Sequence, residues 1–486
     1  MRIQSVSSYV FEIEYRMSFD YGSFSEDETE DEADGSTDVE PKILLEVDTE
    51  IDGESASGIS MGSIGASWFI KGSKVPLEEG RTAMLDVFGR SYEFAAGLEG
   101  ETPFDIWIQL YQKQRNWAES TDYPPLLWMY GVSLIEQGII DAFCRHHDMP
   151  FVEALHTNAL GLKLGEIHPE LAGESPTTWL PDEPLQSAAI RHTVGQTDPL
   201  DQSDVDQPLN DGLPQSLSEY VTELGIDHFK IKLSSDLDAD AERLERIAQV
   251  LDRCGLTEYH FTLDANEGYP TVAAFKEQWN QLTERPALEE FFDRLLYVEQ
   301  PLPRNESFRD ETRQTLRDWG ERPPIIIDES DDSIDSLRRA LTCGYDGTSH
   351  KNGKGVFKGI ANRCFIAYRR GKDPDGTYLM SGEDLTTVEP IEILQDFAVM
   401  AAIGMDHIER NAYHYHRGMD SLSEDVQAAV LAAHPDLYRR HDDDFVTIDI
   451  TEGSVHLNSV TKAPFGRGFD LDVTEYTPLD RWVDHG

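Results

Sequence analysis

Two lysines two residues apart, Lys230 and Lys232, open a series of ionisable groups along the middle of the chain. Asp264 with Asn266 follows, then Glu299, then Asp328 with Glu329, then Lys351, at steps of 32, 35, 29 and 23 residues from Lys232 onward. Each group comes at or just past the end of a short apolar run, in HFKIKL, YHFTLDAN, LLYVEQPL, PPIIIDES and GYDGTSHKN. Carboxylates brought together repel one another, by about 4 kcal/mol per pair at 4 Å in an effective dielectric of 20. Asp264, Glu299 and Asp328 can therefore converge only if some keep their protons or a cation sits among them. Three carboxylates completed by water suit Mg²⁺ better than Zn²⁺, which favours His or Cys. A divalent cation and lysine ammonium groups would stabilise negative charge that develops on a bound ligand in a transition state. A lysine acting as base must be neutral, and neighbouring cations with burial are expected to lower its pKa. For any single acid in so acidic a chain, surface solvation is the default. The ordered set argues otherwise.

Positioning these groups falls to a regular alternation of elements. From about residue 150, short apolar strands alternate with amphipathic helices such as DADAERLERIAQVLDRC, TVAAFKEQWNQL, DSLRRALTCG, GVFKGIANRCFIAYRRG and PIEILQDFAVMAAIG. Seven strands are visible, the last in HIERNAYH, and ALGLKLGEI near residue 160 is a candidate eighth. The expected class is α/β, a (β/α)7–8 TIM-like barrel, whose strand C-termini converge on one mouth. Lys230 and Lys232, as an i, i+2 pair, point to the same side of their strand. The Pro-, Asp- and Gln-rich stretch of about 165–212 reads as an insertion in a connecting loop.

Before residue 150, residues 1–15 alternate like a strand, and ILLEVDTE with the stretch after Asp52-Gly53 reads as a hairpin. Residues 76–150 read as mostly helical. The resulting domains are an α+β capping domain over 1–150, a barrel over 151–460, and a C-terminal segment over 461–486. The acidic run of 23–41, SFSEDETEDEADGSTDVEP, is too polar to pack and reads as a mobile loop.

The pieces K-I-K (230–232), L-D-A-N (263–266), V-E-Q-P (298–301), I-D-E-S (327–330) and H-K-N (350–352), in this order, resemble the enolase superfamily and its muconate-lactonizing and dipeptide-epimerase branch. The resemblance spans residues 1 to about 475 and includes the capping domain. It implies that Asp264, Glu299 and Asp328 hold Mg²⁺. By the same resemblance Lys232 and Lys351 are acid/base lysines on opposite faces of the substrate, with Lys230 assisting. A small-molecule carboxylate would lose its α-proton, giving racemisation, epimerisation or cycloisomerisation. Dehydration of an acid sugar is the chemical alternative, and a catalytically silent barrel that binds metal or carboxylate is the non-enzymatic one. The mandelate-racemase branch would want a His base on the seventh strand, and TYLMSGEDL carries none. Nor does HIERNAYHYH carry the Asp-x-Asp with which dipeptide epimerases hold an ammonium. Further candidate substrate contacts are Asn266, Glu329, Glu383 with Asp384, and His414 with His416. Lys354 and Lys358 are either an anion-binding rim or a solvated helix face. Loops 16–40 and 58–68 are the expected specificity elements of the cap.

The 486 residues carry 92 acidic against 41 basic side chains, a net charge of −51, and only 13 of the basic residues are lysine. Nucleic-acid binding is excluded on this balance, because phosphate recognition needs clustered cations. With 39% hydrophobic residues there is material for a core. The composition resembles that of proteins from extreme halophiles. At roughly 1 M salt the Debye length falls to about 3 Å, which screens the mutual repulsion of surface carboxylates. Cys144, Cys254, Cys343 and Cys364 lie far apart without a C-x-x-C pair, which favours reduced thiols. No signal peptide and no run of 18 apolar residues is apparent, so a cytoplasmic protein without a membrane partner is expected. Barrels of this type often form homo-oligomers, and nothing in the sequence fixes a number.

Overall fold

The N-terminal alternation becomes strand β1 (Arg2–Glu14), and the hairpin becomes β2 (Val39–Ile51) and β3 (Glu54–Ser63). The computed structural model describes residues 1–17, 39–205 and 207–483. Residues 39–41, the end of the acidic run, belong to β2, and the rest of that run lies outside the described residues. Asp52 (φ 54°) and Gly53 (φ 83°) form the two-residue turn, both in the left-handed region that a type I′ hairpin turn requires. Three helices follow: α1 (Gly80–Ala95), α2 (Pro103–Ala118) and α3 (Pro125–His146). Helix α2 starts where Thr102 and Asp105 cap each other reciprocally and Pro103 supplies a first-turn residue without an N–H. Helix α3 is buried on nearly every side, because it lies between the cap sheet and the barrel. It approaches β3 so closely that a Cβ on Gly58 would stand 2.1 Å from the Gly138 carbonyl oxygen.

The barrel is a closed ring of eight parallel strands: β4 (Ser187–Val194), β5 (His228–Lys232), β6 (His260–Asp264), β7 (Leu295–Glu299), β8 (Ile325–Ile327), β9 (Gly347–His350), β10 (Leu379–Gly382) and β11 (His407–Arg410). Pairing of β11 with β4 closes it. The crossover helices are α4 (Leu217–Leu224), α5 (Leu237–Arg253), α6 (Val272–Thr283), α7 (Asp310–Asp318), α8 (Ser336–Cys343), α9 (Val356–Lys372) and α10 (Glu392–Ile403). In α5, Asp236 caps the first turn, and Ala241, Leu244, Ile247 and Leu251 make the buried stripe.

The eighth strand corrects the sequence reading. ALGLKLGEI is not in the barrel; it contains only the short helix Leu164–Ile167. The strand is SAAIRHTV, inside the stretch of 165–212 that reads as an insertion. Its alternation hid it, because Arg191 and Thr193 are polar residues turned into a polar barrel interior, where an apolar run was expected.

Buried charges fasten cap to barrel. Lys42 of β2 is fully buried, 2.8 Å from Glu40, 2.8 Å from the Thr386 carbonyl and 3.7 Å from Glu392 of α10. Asp141 of α3 accepts from the Ile59 amide at 2.8 Å and from Arg467 at 2.7 Å. Past the barrel, β12 (Tyr438–Arg440) pairs with β13 (Val446–Ile448), β14 (Ser454–His456) joins β4 antiparallel, and β15 (Thr477–Pro478) pairs with β1 at Tyr9 and Val10. All four cysteines are free thiols. Among the described residues no helix is long and apolar enough to cross a membrane.

Glu136 of α3 is a testable part of this junction. Its Oε1 accepts from the Phe357 amide, 2.6 Å away in the first turn of α9, and burial pushes its carboxyl up to about 8. The folded protein therefore holds it neutral where the unfolded chain ionises it near the ordinary value of 4.5. The stability it contributes is complete below that value, erodes as pH rises and is gone above about 8, a swing of roughly 3–5 kcal/mol. Glu136→Gln keeps the acceptor and cannot ionise. Urea unfolding at pH 5.5 and 8.5 should show a smaller loss between the two conditions in the variant than in the wild type.

Candidate active site

Strand register builds the site. Lys232, Asp264 and Glu299 are direct neighbours across β5, β6 and β7 at the C-terminal edge of the sheet. Asp328 follows the last residue of β8, and Lys351 the last of β9. Above them the mouth and cap enclose a cleft of about 490 Å³. Lys230, Lys232, Asp264, Asn266, Glu329 and Lys351 line this cleft; Glu299, Asp328 and Glu383 sit beneath it, and His414 is away from it. Lys232 and Lys351 stand on the second and sixth of eight strands, which places them on opposite walls.

Each acid is held by a cation. Lys232 Nζ lies 2.7 Å from Asp264 Oδ2 and 2.9 Å from Asn266 Oδ1. Lys351 Nζ lies 2.9 Å from Asp328 Oδ2, and Lys354 Nζ grips Asp328 Oδ1 and the Asp328 carbonyl from the other side. Lys230 is the hub. Its ammonium touches Asp264 at 3.1 Å, Glu299 at 3.0 Å, Glu383 at 2.6 Å and Glu409 at 3.0 Å. Glu383 is also bound by Arg191 and Ser381, and Glu409 accepts from Thr193 Oγ1 at 2.8 Å. The barrel axis is thus filled by an ionic lattice at this level, unlike the branched apolar layers usual in such barrels.

Burial and charge act against each other here. Burial would lower Lys230, but its four carboxylates, Asp264 foremost, hold it well above the ordinary lysine value. Burial, with repulsion from Asp264 and Glu383, drives Glu299 well above the carboxylate range despite Lys230. Glu409 goes the other way: burial would raise it, and Lys230 holds it well below. Burial and the adjacent Asp328 bring Glu329 up to about 7. Lys351 departs from the expected lowering. Burial does act downward, but the ion pair with Asp328 outweighs it and raises the value.

A divalent cation fits the donor set by type. Asp264, Glu299 and Asp328 are carboxylates at most 1% exposed, and Glu299 Oε2 meets only the Lys230 ammonium, without hydrogen-bond geometry. These are hard oxygen donors with no sulfur or imidazole among them, as Mg²⁺ favours. The Lys230 ammonium bridges Asp264 and Glu299, and Lys351 and Lys354 hold Asp328. Among the described residues the one trio of potential ligands whose donor atoms all lie within 4.8 Å is Asp52, His146 and His147, on the cap.

Several candidates fall elsewhere than expected. His414 is 1% exposed behind β11, bound to the Tyr220 hydroxyl and 3.5 Å from Asp198, and does not reach the cleft. His416 Nδ1 donates to the Glu14 carbonyl at 3.0 Å, and its ring stacks on Tyr15. Glu383 serves Lys230 and Arg191 from below, and Asp384, which lines the cleft, caps Thr387 and accepts from the Asn411 amide. Lys354 and Lys358 are neither a rim nor a solvated face: both are buried, on Asp328 and Asp331. Of the two cap loops, 58–63 belong to β3, whose last residue, Ser63, lines the cleft with Gly65, Ser67 and Trp68, as does Glu40. Residues 18–38 of the other loop are outside the described residues.

The residue that sequence reasoning missed is Trp68, on the short helix Ser67–Ile70. Its indole lies 4.6 Å from Lys351 Nζ and 5.9 Å from Lys354 Nζ, and its N–H donates to Glu329 Oε1 at 3.2 Å. Arg304 ties this helix down through the carbonyls of Trp68 and Phe69. No local pattern marks a tryptophan that meets its partners about 260 residues away. Arg191 and Thr193 had a signal, the same i, i+2 polar spacing that singled out Lys230 and Lys232.

No family model matches the chain, and no curated sequence does. Solved structures do resemble it. A mandelate racemase/muconate lactonizing protein from Herpetosiphon aurantiacus aligns at TM-score 0.58 and 15% identity, over 96% of this chain and 99% of that one. An N-succinyl Arg/Lys racemase from Bacillus cereus aligns at 0.55 and 12% identity over 95% and 98%. A dipeptide epimerase from Cytophaga hutchinsonii, complexed with Mg and the dipeptide D-Ala-L-Val, aligns at 0.55 and 12% identity over 99% of both chains. The likeness runs through cap and barrel alike, and the chain shares the fold of these structures, an α+β cap on a closed barrel of eight parallel strands.

Proposed function

We propose that the protein is an enzyme that abstracts the α-proton of a small carboxylate with Mg²⁺ bound, giving racemisation, epimerisation or cycloisomerisation. The observation that carries this is the placement of Lys232 and Lys351 on opposite walls of one cleft, each beside a different carboxylate of the Asp264–Glu299–Asp328 set. The folds of known racemases and epimerases support it. Asp264, Glu299 and Asp328 would hold the ion. When bound, it supplies positive charge against the second negative charge that develops on the substrate carboxylate.

The chain's own residues do the rest. One lysine, relieved of its proton, takes the α-hydrogen from one face, and the other delivers a proton to the opposite face. Asn266 orients Lys232, and Trp68 covers Lys351 and keeps water from it. Lys230 and Lys354 fix the carboxylates from beneath without reaching the α-carbon. In this reading the raised pKa of Lys351 comes first from its pairing with Asp328, with Glu299 and Glu409 adding to it, and a change in that pairing is what frees it to act.

The test is α-proton exchange. A mixed library of hydroxy acids, acylated amino acids and acid sugars, incubated in D₂O with Mg²⁺ and molar KCl, should give deuterium in a subset of compounds by mass spectrometry. EDTA should stop it. Exchange that persists in a Lys232→Ala/Lys351→Ala double variant would refute the assignment.

A further inference from the structure

We propose that the cleft takes a carboxylate whose α-substituent is uncharged and apolar, an aryl or branched alkyl group, and that it discriminates against an α-ammonium. This rests on the carboxylate-binding reading above and narrows it.

Charge accounting gives the first half. Six carboxylates line the cleft among the described residues, and five are fully engaged. Glu40 is bound by Lys42, Tyr15 and Ser63; Glu267 by Arg304; Asp384 by Thr387 and the Asn411 amide. Asp264 holds Lys230, Lys232 and the Asn266 amide, and Glu409 holds Lys230 and Thr193. Only Glu329 keeps an oxygen, Oε2, without a partner; its Oε1 takes Trp68 and Asn266. One oxygen satisfies one neutral donor, a hydroxyl or an amide N–H, whereas an ammonium brings three N–H groups and a full charge. Meanwhile Lys71, Lys230, Lys232 and Lys351 all line the same cavity. Lys71 is tied to the Asn266 carbonyl, Lys230 and Lys232 to Asp264, and Lys351 to Asp328, so among the described residues none of these acids is left over to neutralise a ligand's ammonium.

The second half is the ceiling. Trp68, Phe69, Ile70 and Val75 from the cap face the mouth together with Leu385 from the loop after β10. Leu77 continues this surface to the rim and, at 42% exposure, is one of three large exposed hydrophobic residues among those described. An apolar side chain left half in water at a cleft edge is what a ligand's apolar substituent would cover.

Carboxylates with a quaternary α-carbon have no α-proton, so they report binding without turnover. With Mg²⁺ present, titration calorimetry should show 2-methyl-2-phenylpropanoate binding at least about tenfold tighter than its near-isostere 2-amino-2-phenylpropanoate, which leaves an ammonium unpaired. It should also bind at least about tenfold tighter than 2,2-dimethylpropanoate, which lacks the ring. Leu77→Ser, at an exposed position that leaves the fold intact, should shrink the second ratio. Equal affinities, the reverse order, or no binding of any of the three would overturn the substrate class. The reaction fails separately: 2-phenylpropanoate, which has one α-proton, would then bind like its methylated analogue and take up no deuterium.

Discussion

Replacing Lys230 with methionine will lower the unfolding free energy by roughly 3–5 kcal/mol, the range seen when one partner of a buried ion pair is removed. Lys230 is 1% exposed and the common partner of Asp264, Glu299, Glu383 and Glu409. Methionine matches its length and fills its space, so packing is conserved while the central positive charge is lost. Arg191 compensates one of the four acids, Glu383, and Lys232 another, Asp264. Glu299 and Glu409 are left without a cation; Glu299, already driven well above the carboxylate range, keeps its proton, while Glu409, which Lys230 holds ionised, must take one up or draw in water. Urea denaturation followed by circular dichroism measures the loss. A double variant, Lys230→Met with Glu409→Gln, should recover part of it, because it removes the orphaned charge. A Lys230→Met protein as stable as the wild type would mean that the lattice is held by solvent and not by this ammonium.

The second large effect separates the two walls. Lys232→Ala and Lys351→Ala should each lower turnover by about 10²–10⁴-fold, the usual range for a positioned acid or base. They should differ in kind. With a lysine on each face, a variant that keeps only one still exchanges the α-proton of the enantiomer presented to that face, and no longer interconverts the two. Proton NMR of each pure enantiomer in D₂O therefore decides the assignment: Lys232→Ala should wash out one enantiomer, and Lys351→Ala the other. Loss of both exchanges in both variants would show that the lysines act on one face together. Lys232 touches Asp264 and Lys351 touches Asp328, so each variant's affinity for Mg²⁺ should be measured alongside. A variant whose exchange returns in excess Mg²⁺ has lost charge balance at the carboxylates and not a proton carrier.

Much of this arrangement is readable from the sequence because parallel strands carry their own address. A polar residue ending an apolar run must leave the barrel at its C-terminal edge, so Lys232, Asp264, Glu299, Asp328 and Lys351 share one mouth once seven β/α units are counted. Period-two alternation puts Lys230 below Lys232 on the same strand face. Asp52-Gly53 fixes the cap hairpin through backbone conformation alone. These are local facts: each depends on a residue and its near neighbours.

What only the tertiary structure decides is who pairs with whom across strands and domains. Strand β4 escapes recognition because its inward residues, Arg191 and Thr193, complement Glu383 and Glu409, acids about 190 and 216 positions away. His414 looks like a mouth residue by its position after the last strand, yet the turn through the short helix Ala412–Tyr415 carries it behind β11 to Tyr220. Lys354, by spacing a helix-face residue, is drawn into Asp328 by the left-handed turn at Gly355. Trp68 acquires a role only when the cap folds over the barrel and lays its ring against Lys351. In each case the deciding term is electrostatic complementarity between groups remote in the chain, which burial amplifies and which no local window of sequence contains.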